Sequence, residues 1–264
     1  MSQEPAVLYR VENGVGIVEL NRPDNRNSMT PELFAALGEA IQQVKSDASL
    51  RCVVITGRGR CFSAGADLRS NIQVSDQTRH QLPHEQSFGM YTPFLSVLDI
   101  EVPVIGALNG HAVGGGLGLA LVCDIRIANK SSKYGANFTK LGIHPGMAIT
   151  HILPRLVGFP KAAELLFTGK LIKGDEAAAV GLANHAVDGE EVLPMAMEMA
   201  NQIAANAPIA VRLTKRFLYQ GQNEAVRNAA YAEAFAQSST LNTQDAEEGI
   251  NALLEKRQPV FQGK

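Results

Sequence analysis

The chain has 264 residues, of which 45% are hydrophobic and 19% are charged, and 24 basic against 26 acidic side chains give a formal net charge of -2. This composition excludes a disordered chain and argues against nucleic acid as the main partner, because phosphate binding requires a basic excess. Three separate cysteines do not form a disulfide framework, and the first residues lack the pattern of a signal peptide. We therefore expect a cytoplasmic protein.

The first predicted elements are two strands joined by a tight turn. Asn13-Gly14 separates the alternating runs at residues 7–12 and 15–20, and both turn residues accept the positive φ of a type I′ hairpin. Thr30-Pro31 then predicts the start of a helix, because proline is well tolerated in the first helical turn. Three later runs predict strands, with the weakest signal in the last: residues 52–56, 102–108 and 123–128.

The rest of the chain is predicted to contain a polar segment and then helices. Residues 70–92 are polar and weakly periodic, which predicts a mobile surface segment with a short helix. Residues 104–123 are uncharged over the length of a membrane span, but their six glycines favour a buried strand, turn and helix. Six segments have helical spacing: residues 147–157, 160–167, 190–205, 208–219, 223–237 and 246–255.

These elements predict an α/β core in residues 1–200, followed by a helical region in residues 201–264. The motifs G-x-G-x-x-G, the P-loop and G-x-S-x-G do not occur in the sequence. His80 and His84 have a spacing that is found in metal sites, but Pro83 between them disturbs the helix that such a pair requires. Nucleotide, serine-hydrolase and metal chemistry are therefore not indicated.

Two glycine-rich turns follow predicted core strands. The first glycine turn spans residues 61–68 and the second spans residues 109–118. Small residues let a ligand approach the backbone, and glycines that open a helix leave N–H groups without partners. Each turn alone is consistent with an ordinary strand-to-helix connection. Together they favour an oxyanion hole, in which two N–H groups stabilise a carbonyl oxygen that gains negative charge.

The sequence resembles the crotonase superfamily, the enoyl-CoA hydratase/isomerase family, over essentially its whole length. The resemblance is carried in order and spacing by Asn21-Arg22-Pro23 with Asn27, Phe62-Ser63-Ala64-Gly65-Ala66-Asp67-Leu68, Asn109-Gly110-His111-Ala112-Val113-Gly114-Gly115-Gly116, Cys123-Asp124, Leu141-Gly142-Ile143-His144-Pro145-Gly146, Leu166-Phe167-Thr168-Gly169 and Ala179-Val180-Gly181-Leu182-Ala183. It implies a spiral of ββα units with a helical C-terminal trimerisation region, assembled as a homotrimer or as a dimer of trimers. It implies no metal or redox cofactor, and no membrane partner is expected.

The resemblance also implies the ligand and its site. The ligand is an acyl-CoA thioester, whose oxygen accepts hydrogen bonds from the N–H groups of Ala66 and Gly115. Further substrate-binding residues are expected on both turns and beside them: Ala64, Asp67, Leu68, Gly114, Gly118 and Phe138.

The sequence departs from the hydratases of this family at two positions. These hydratases place glutamates where this chain has Gly118 and Phe138, and neither of these side chains can accept a proton. His144 and Tyr91 are candidates for the acid or base, although a hydrogen-bonded turn histidine and a packed tyrosine are the more ordinary roles. Isomerisation, decarboxylation or thioester cleavage is therefore favoured over efficient hydration. A non-catalytic acyl-CoA binder or complex-assembly protein remains the alternative.

Overall fold

The computed structural model describes residues 4–67 and 82–264, and the predicted hairpin forms its first two strands. Strands β1 (Val7–Glu12) and β2 (Val15–Leu20) pair in antiparallel register. Asn13 and Gly14 between them have φ angles of 50° and 78°. These angles fit the predicted type I′ turn, which is thereby confirmed.

Helix α1 (Pro31–Ser46) begins at the predicted position. The Leu33 N–H donates to the Thr30 hydroxyl oxygen at 3.2 Å, so Thr30 caps one of the free N–H groups of the first turn. One face of the helix is buried against the sheet, including Leu33, Leu37, Ile41 and Val44.

The remaining elements of the described residues follow in chain order. The strands are β3 (Cys52–Gly57), β4 (Cys61–Ser63), β5 (Val104–Leu108), β6 (His111–Val113), β7 (Ile125–Asn129), β8 (Lys133–Gly135), β9 (Ile172–Lys173) and β10 (His185–Val187). The helices are α2 (Pro83–Leu95), α3 (Gly115–Leu121), α4 (Ile149–Val157), α5 (Phe159–Thr168), α6 (Gly174–Ala179), α7 (Val192–Ala204), α8 (Pro208–Leu218), α9 (Gln222–Leu241) and α10 (Gln244–Glu255).

The strands form two sheets between which the chain alternates. The larger sheet has the order β1-β2-β3-β5-β7-β10, and the smaller has the order β4-β6-β8-β9. Each of the strands β3, β5 and β7 is followed in sequence by a strand of the smaller sheet. This alternation, with helices between the circuits and α8 to α10 at the end, confirms the predicted α/β spiral with a helical C-terminal region.

Some predicted boundaries were wrong by a few residues. The helix predicted from residue 147 begins at Ile149, because Met147 and Ala148 have φ angles of 63° and 59° and are not helical. The stretch at residues 104–123 contains β5, β6 and the short helix α3. No helix in the described part of the chain is both long and apolar enough to cross a membrane. Of the segment predicted at residues 70–92, α2 is described, and residues 68–81, with His80, lie outside the described residues.

Candidate active site

The first glycine turn is held in place by hydrogen bonds from two polar side chains. The Asn27 amide donates to the Cys61 carbonyl at 2.9 Å and accepts from the Arg22 N–H at 2.8 Å. The Ser63 hydroxyl donates to the Asn27 carbonyl at 2.7 Å and accepts from the Gly65 N–H at 3.2 Å. Asn27 and Ser63 are both buried, so this network fixes the backbone that leads to Ala66.

The backbone of Ala66 presents an N–H group that no described residue accepts. The Met29 N–H donates to the Gly65 carbonyl at 2.8 Å, within an isolated parallel bridge between Met29 and Ala66. The Ala66 N–H takes no part in this hydrogen bond. It has no acceptor among residues 4–67 and 82–264.

The second glycine turn presents another such group at Gly115. The preceding Gly114 has a φ of 55° and a ψ of -119°, a backbone conformation that favours glycine, and its N–H donates to the Gly135 carbonyl at 2.9 Å. Gly115 is the first residue of α3, so its own N–H lacks a partner within the helix. No other described residue accepts it.

The two turns lie in direct contact because glycines occupy the points of approach. A Cβ atom on Gly65 would lie 2.6 Å from the Val113 carbonyl oxygen and 3.0 Å from the Gly115 nitrogen. A Cβ atom on Gly116 would lie 2.1 Å from the Ser63 carbonyl oxygen. Real Cβ atoms do not make contacts this short, so any larger residue at Gly65 or Gly116 would push the turns apart. The two adjoining turns thus carry the Ala66 and Gly115 N–H groups, neither of which has an acceptor within residues 4–67 and 82–264.

The surroundings of Gly115 are apolar. A Cβ atom built on Gly115 would lie 2.9 Å from the Met29 sulfur and 3.3 Å from the Met147 methyl carbon. The corresponding position on Gly114 lies 3.7 Å from the Phe138 ring and also 3.7 Å from the Asn137 Oδ1 atom, which is the one polar side-chain atom among these neighbours. The predicted substrate residues Gly114, Gly118 and Phe138 therefore border the Gly115 N–H or the first turn of its helix.

The predicted residues of the first glycine turn are described only as far as Asp67. Ala64 is partly buried, and its N–H donates to the Arg26 carbonyl at 3.0 Å. Asp67 is also partly buried and makes interactions within the protein. Leu68 lies outside the described residues.

His144 is oriented by its own loop. Its Nδ1 lies 2.5 Å from the Pro145 carbonyl oxygen, and its backbone N–H donates to the Thr240 hydroxyl at 2.9 Å. A carbonyl oxygen only accepts hydrogen bonds, so Nδ1 must carry the proton in this contact. In the neutral ring, Nε2 then has a free lone pair and can act as a base.

The Tyr91 hydroxyl is engaged by a side chain of α9. It donates to the Gln237 Oε1 atom at 2.5 Å, and the ring is buried. Burial, reinforced by the nearby charge of Glu233, raises the pKa of Tyr91 above its usual value. A Cβ atom on Gly146 would lie 2.3 Å from this hydroxyl, so Tyr91 packs on the loop that also carries His144.

Glu233 is a buried carboxyl group that the sequence reading did not identify. Its Oε1 atom accepts from the Thr150 N–H at 2.8 Å and from the Thr150 hydroxyl. Its Oε2 atom is buried without a hydrogen-bond partner in the described part of the chain. Burial raises the pKa of Glu233 to about 7, against the lowering effect of the Thr150 bonds. The sequence around Glu233, in an alanine-rich helix, does not indicate that this side chain is buried, because its hydrogen-bond partner Thr150 lies on α4.

Comparison with known proteins identifies the family. The sequence model of the enoyl-CoA hydratase/isomerase family matches residues 10–264. A short-chain-enoyl-CoA hydratase from Clostridium acetobutylicum is 35% identical over 254 residues, covering 95% of each chain. A crotonyl-CoA hydratase from Syntrophomonas wolfei is 35% identical over 267 residues, covering 100% of each chain. The crystal structure of an enoyl-CoA hydratase/isomerase from Pseudoalteromonas atlantica matches with a TM-score of 0.87 at 30% identity, covering 97% of this chain and 100% of the other. The chain is therefore an acyl-CoA enzyme that belongs to the enoyl-CoA hydratase/isomerase family.

Proposed function

We propose that the N–H groups of Ala66 and Gly115 form an oxyanion hole for the carbonyl oxygen of an acyl-CoA thioester. When a base removes the α-proton of the acyl group, the C–H electron pair forms a carbon–carbon double bond and the oxygen becomes negative. Two fixed N–H donors stabilise this enolate without reorganisation, and one such donor contributes about 2.7–4 kcal/mol. The observation that carries the proposal is the pair of unpaired N–H groups on two turns in direct contact.

Exchange of the α-protons of butanoyl-CoA in D2O tests this step directly. A saturated thioester has no double bond to hydrate, so mass spectrometry reports enolate formation alone. Gly115→Pro lacks the N–H, and we expect it to reduce the exchange rate roughly 10²–10³-fold. Circular dichroism and oligomer size serve as controls for folding. A folded Gly115→Pro variant with the exchange rate of the wild type would contradict the assignment of Gly115.

We propose further that hydration of crotonyl-CoA by this chain is slow, although relatives are named for that reaction. Hydration requires one group to take a proton from water and another to protonate the α-carbon. Gly118 and Phe138 supply no carboxyl group, and loss of a positioned acid or base removes about 10²–10⁴ in rate. The family resemblance, together with the apolar surroundings of Gly115, therefore favours isomerisation, decarboxylation or thioester cleavage. Rapid hydration of crotonyl-CoA by the wild type, unaffected by His144→Gln and Tyr91→Phe, would contradict this proposal.

His144 is the proposed base, because its protonated Nδ1 leaves Nε2 free to accept the α-proton. His144→Gln is then expected to abolish most of the α-proton exchange while calorimetry still detects butanoyl-CoA binding. Unchanged exchange would assign His144 a structural role in its loop. A wild-type protein that binds acyl-CoA thioesters but neither exchanges α-protons nor turns over an acyl-CoA panel would instead be the non-catalytic binder.

The proposal includes an assembly as a homotrimer or a dimer of trimers and no cofactor beyond the coenzyme A of the substrate, in a cytoplasmic protein. The support for the assembly is an apolar surface on the C-terminal helices and the tail, with exposed side chains at Ile209, Phe217, Leu218, Phe235 and Phe261. Exposed apolar surface of this kind marks contact sites between proteins. Light scattering that gives the mass of a monomer at micromolar concentration would contradict the assembly.

A further inference from the structure

Met147 occupies the face of α3 on which the proposed oxyanion donor lies. Gly115 and Gly118 are three residues apart, so they share one face of this helix. A Cβ atom on Gly118 would lie 2.8 Å from the Met147 sulfur and 3.0 Å from its methyl carbon, and the same methyl carbon lies 3.3 Å from the position on Gly115. The thioether therefore runs along the helix surface from Gly118 to Gly115.

The backbone at this point has an unusual conformation. Met147 and Ala148 are consecutive non-glycine residues with positive φ, at 63° and 59°. Each such residue costs on the order of 1–3 kcal/mol and persists only where the surrounding structure enforces it, which occurs most often at ligand sites. The enforcing contacts come from the C-terminal region, where Glu233 accepts from Thr150 and Gln237 donates to the His144 carbonyl at 3.1 Å.

A thioester oxygen held by the Gly115 N–H would bring the first carbons of the acyl group against this side chain. The oxygen would lie about 2.9 Å from the nitrogen, and the carbonyl carbon is only about 1.2 Å from the oxygen. Met29 and Met147 contact the Cβ position of Gly115, the Phe138 ring lies 3.7 Å from that of Gly114, and all three side chains pack in or against the largest hydrophobic cluster of the described residues. The side chains beside the Gly115 N–H group are therefore mainly apolar and densely packed.

We propose that Met147 sets the length of the acyl group, so that the site prefers short acyl-CoA thioesters. The inference rests on the proposed oxyanion hole and names the substrate class of that same site. Methionine is unbranched and flexible, and its thioether here fills the space into which further carbons of the acyl chain would otherwise extend. A smaller side chain at position 147 would open that space. A side chain that displaces the thioether towards Gly115 would reduce the space for the acyl group.

Calorimetric binding of butanoyl-CoA and octanoyl-CoA tests the proposal. Met147→Ala vacates room for about two methylene groups, each of which changes affinity about fourfold when buried. We expect the affinity for octanoyl-CoA relative to butanoyl-CoA to rise more than tenfold in Met147→Ala. Met147→Leu, which keeps the volume, should retain the wild-type preference. Met197→Ala is the matched control, because Met197 packs on the other hydrophobic cluster.

The possible results separate the two proposals. If the wild type binds neither thioester, the proposed function fails and the role of Met147 fails with it. If the wild type binds and Met147→Ala has the same chain-length preference, only the role of Met147 is overturned. Should Met147→Ala not fold, Gly118→Ala provides the second test, because its Cβ would displace the Met147 sulfur. Gly118→Ala is then expected to weaken butanoyl-CoA binding, and unchanged binding would overturn the proposal.

Discussion

The two glycine turns present similar N–H groups but are positioned by different means. The first is tied by side-chain hydrogen bonds from Asn27 and Ser63, and its Ala66 is exposed. The second also has a side-chain hydrogen bond at its start, where Asn109 donates to the Gly59 carbonyl at 2.9 Å, but Gly115 and Gly116 beside its N–H group are buried among backbone and thioether atoms. The first turn therefore depends on side-chain hydrogen bonds as well as on the missing side chain of Gly65, whereas the second, around its N–H group, depends on the absence of side chains. Substitutions can therefore test the hydrogen bonds and the close packing separately.

The largest effect is expected where the two turns touch. Gly65→Ala places a Cβ atom 3.0 Å from the Gly115 nitrogen at a residue whose φ is 83°. This methyl group would displace the Gly115 N–H from the oxygen that we propose it binds, and loss of one donor lowers the rate roughly 10²–10³-fold. The α-proton exchange rate of butanoyl-CoA measures the effect. A well-folded Gly65→Ala variant with wild-type exchange would show that the contact between the turns does not control the donor.

A second prediction concerns the support of Met147 by Glu233. The folded pKa of Glu233 is about 7, above the ordinary value of 4.5, so the folded protein binds this proton more tightly than the unfolded chain does. The contribution of Glu233 to the free energy of unfolding should therefore decrease by about 3 kcal/mol as the pH rises from below 4.5 to above 7. Glu233→Gln should remove this decrease, as measured by urea unfolding across the pH range.

Glu224→Gln is the control for this experiment, because Glu224 lies on the same helix and is exposed. It should retain the pH dependence of the wild type. A parallel pH dependence for Glu233→Gln and the wild type would contradict the raised pKa.

A smaller loss of stability is expected for the hydrogen bonds of the first turn. Ser63→Ala removes the donor to the Asn27 carbonyl and the acceptor of the Gly65 N–H, both buried. Leaving these groups unsatisfied should lower the free energy of unfolding by about 2 kcal/mol. Ser46→Ala, the control, removes an exposed hydrogen bond from the Ser46 hydroxyl to the Gln42 carbonyl. It should change the free energy of unfolding by less than about 0.5 kcal/mol. Equal effects of the two substitutions would show that hydrogen bonding does not position the first turn.

The smallest effect is expected at a glycine that is not in a close contact. Gly38 lies inside α1, and no atom would lie within 4 Å of a Cβ placed on it. Gly38→Ala should raise the free energy of unfolding by about 0.4–1 kcal/mol, because alanine has less conformational freedom to lose. A destabilised Gly38→Ala variant would contradict this. It would mean that the space around a Cβ atom does not explain which glycines can be replaced.

Local signals predicted most elements of the fold. The Asn13-Gly14 turn and the Thr30 cap depend only on residues within a few positions, and both lie where the sequence placed them. The smaller sheet was not predicted as a separate sheet, since its strands have only two or three residues and show no periodicity. The left-handed backbone conformation of Met147 and the burial of the Glu233 carboxyl group were not predicted, for another reason. Their conformation and burial depend on contacts between residues far apart in sequence, such as Glu233 with Thr150.

The alternation of the chain between two sheets has a consequence for folding kinetics. Strand β3 pairs with β5, and β4 pairs with β6, across roughly fifty residues of intervening chain. Closing loops of this length before the contacts stabilise them slows folding, whereas the C-terminal helices form from local contacts. The two donor turns join only when both pairings are complete. After dilution from denaturant, α-proton exchange should therefore recover more slowly than the helical circular dichroism signal.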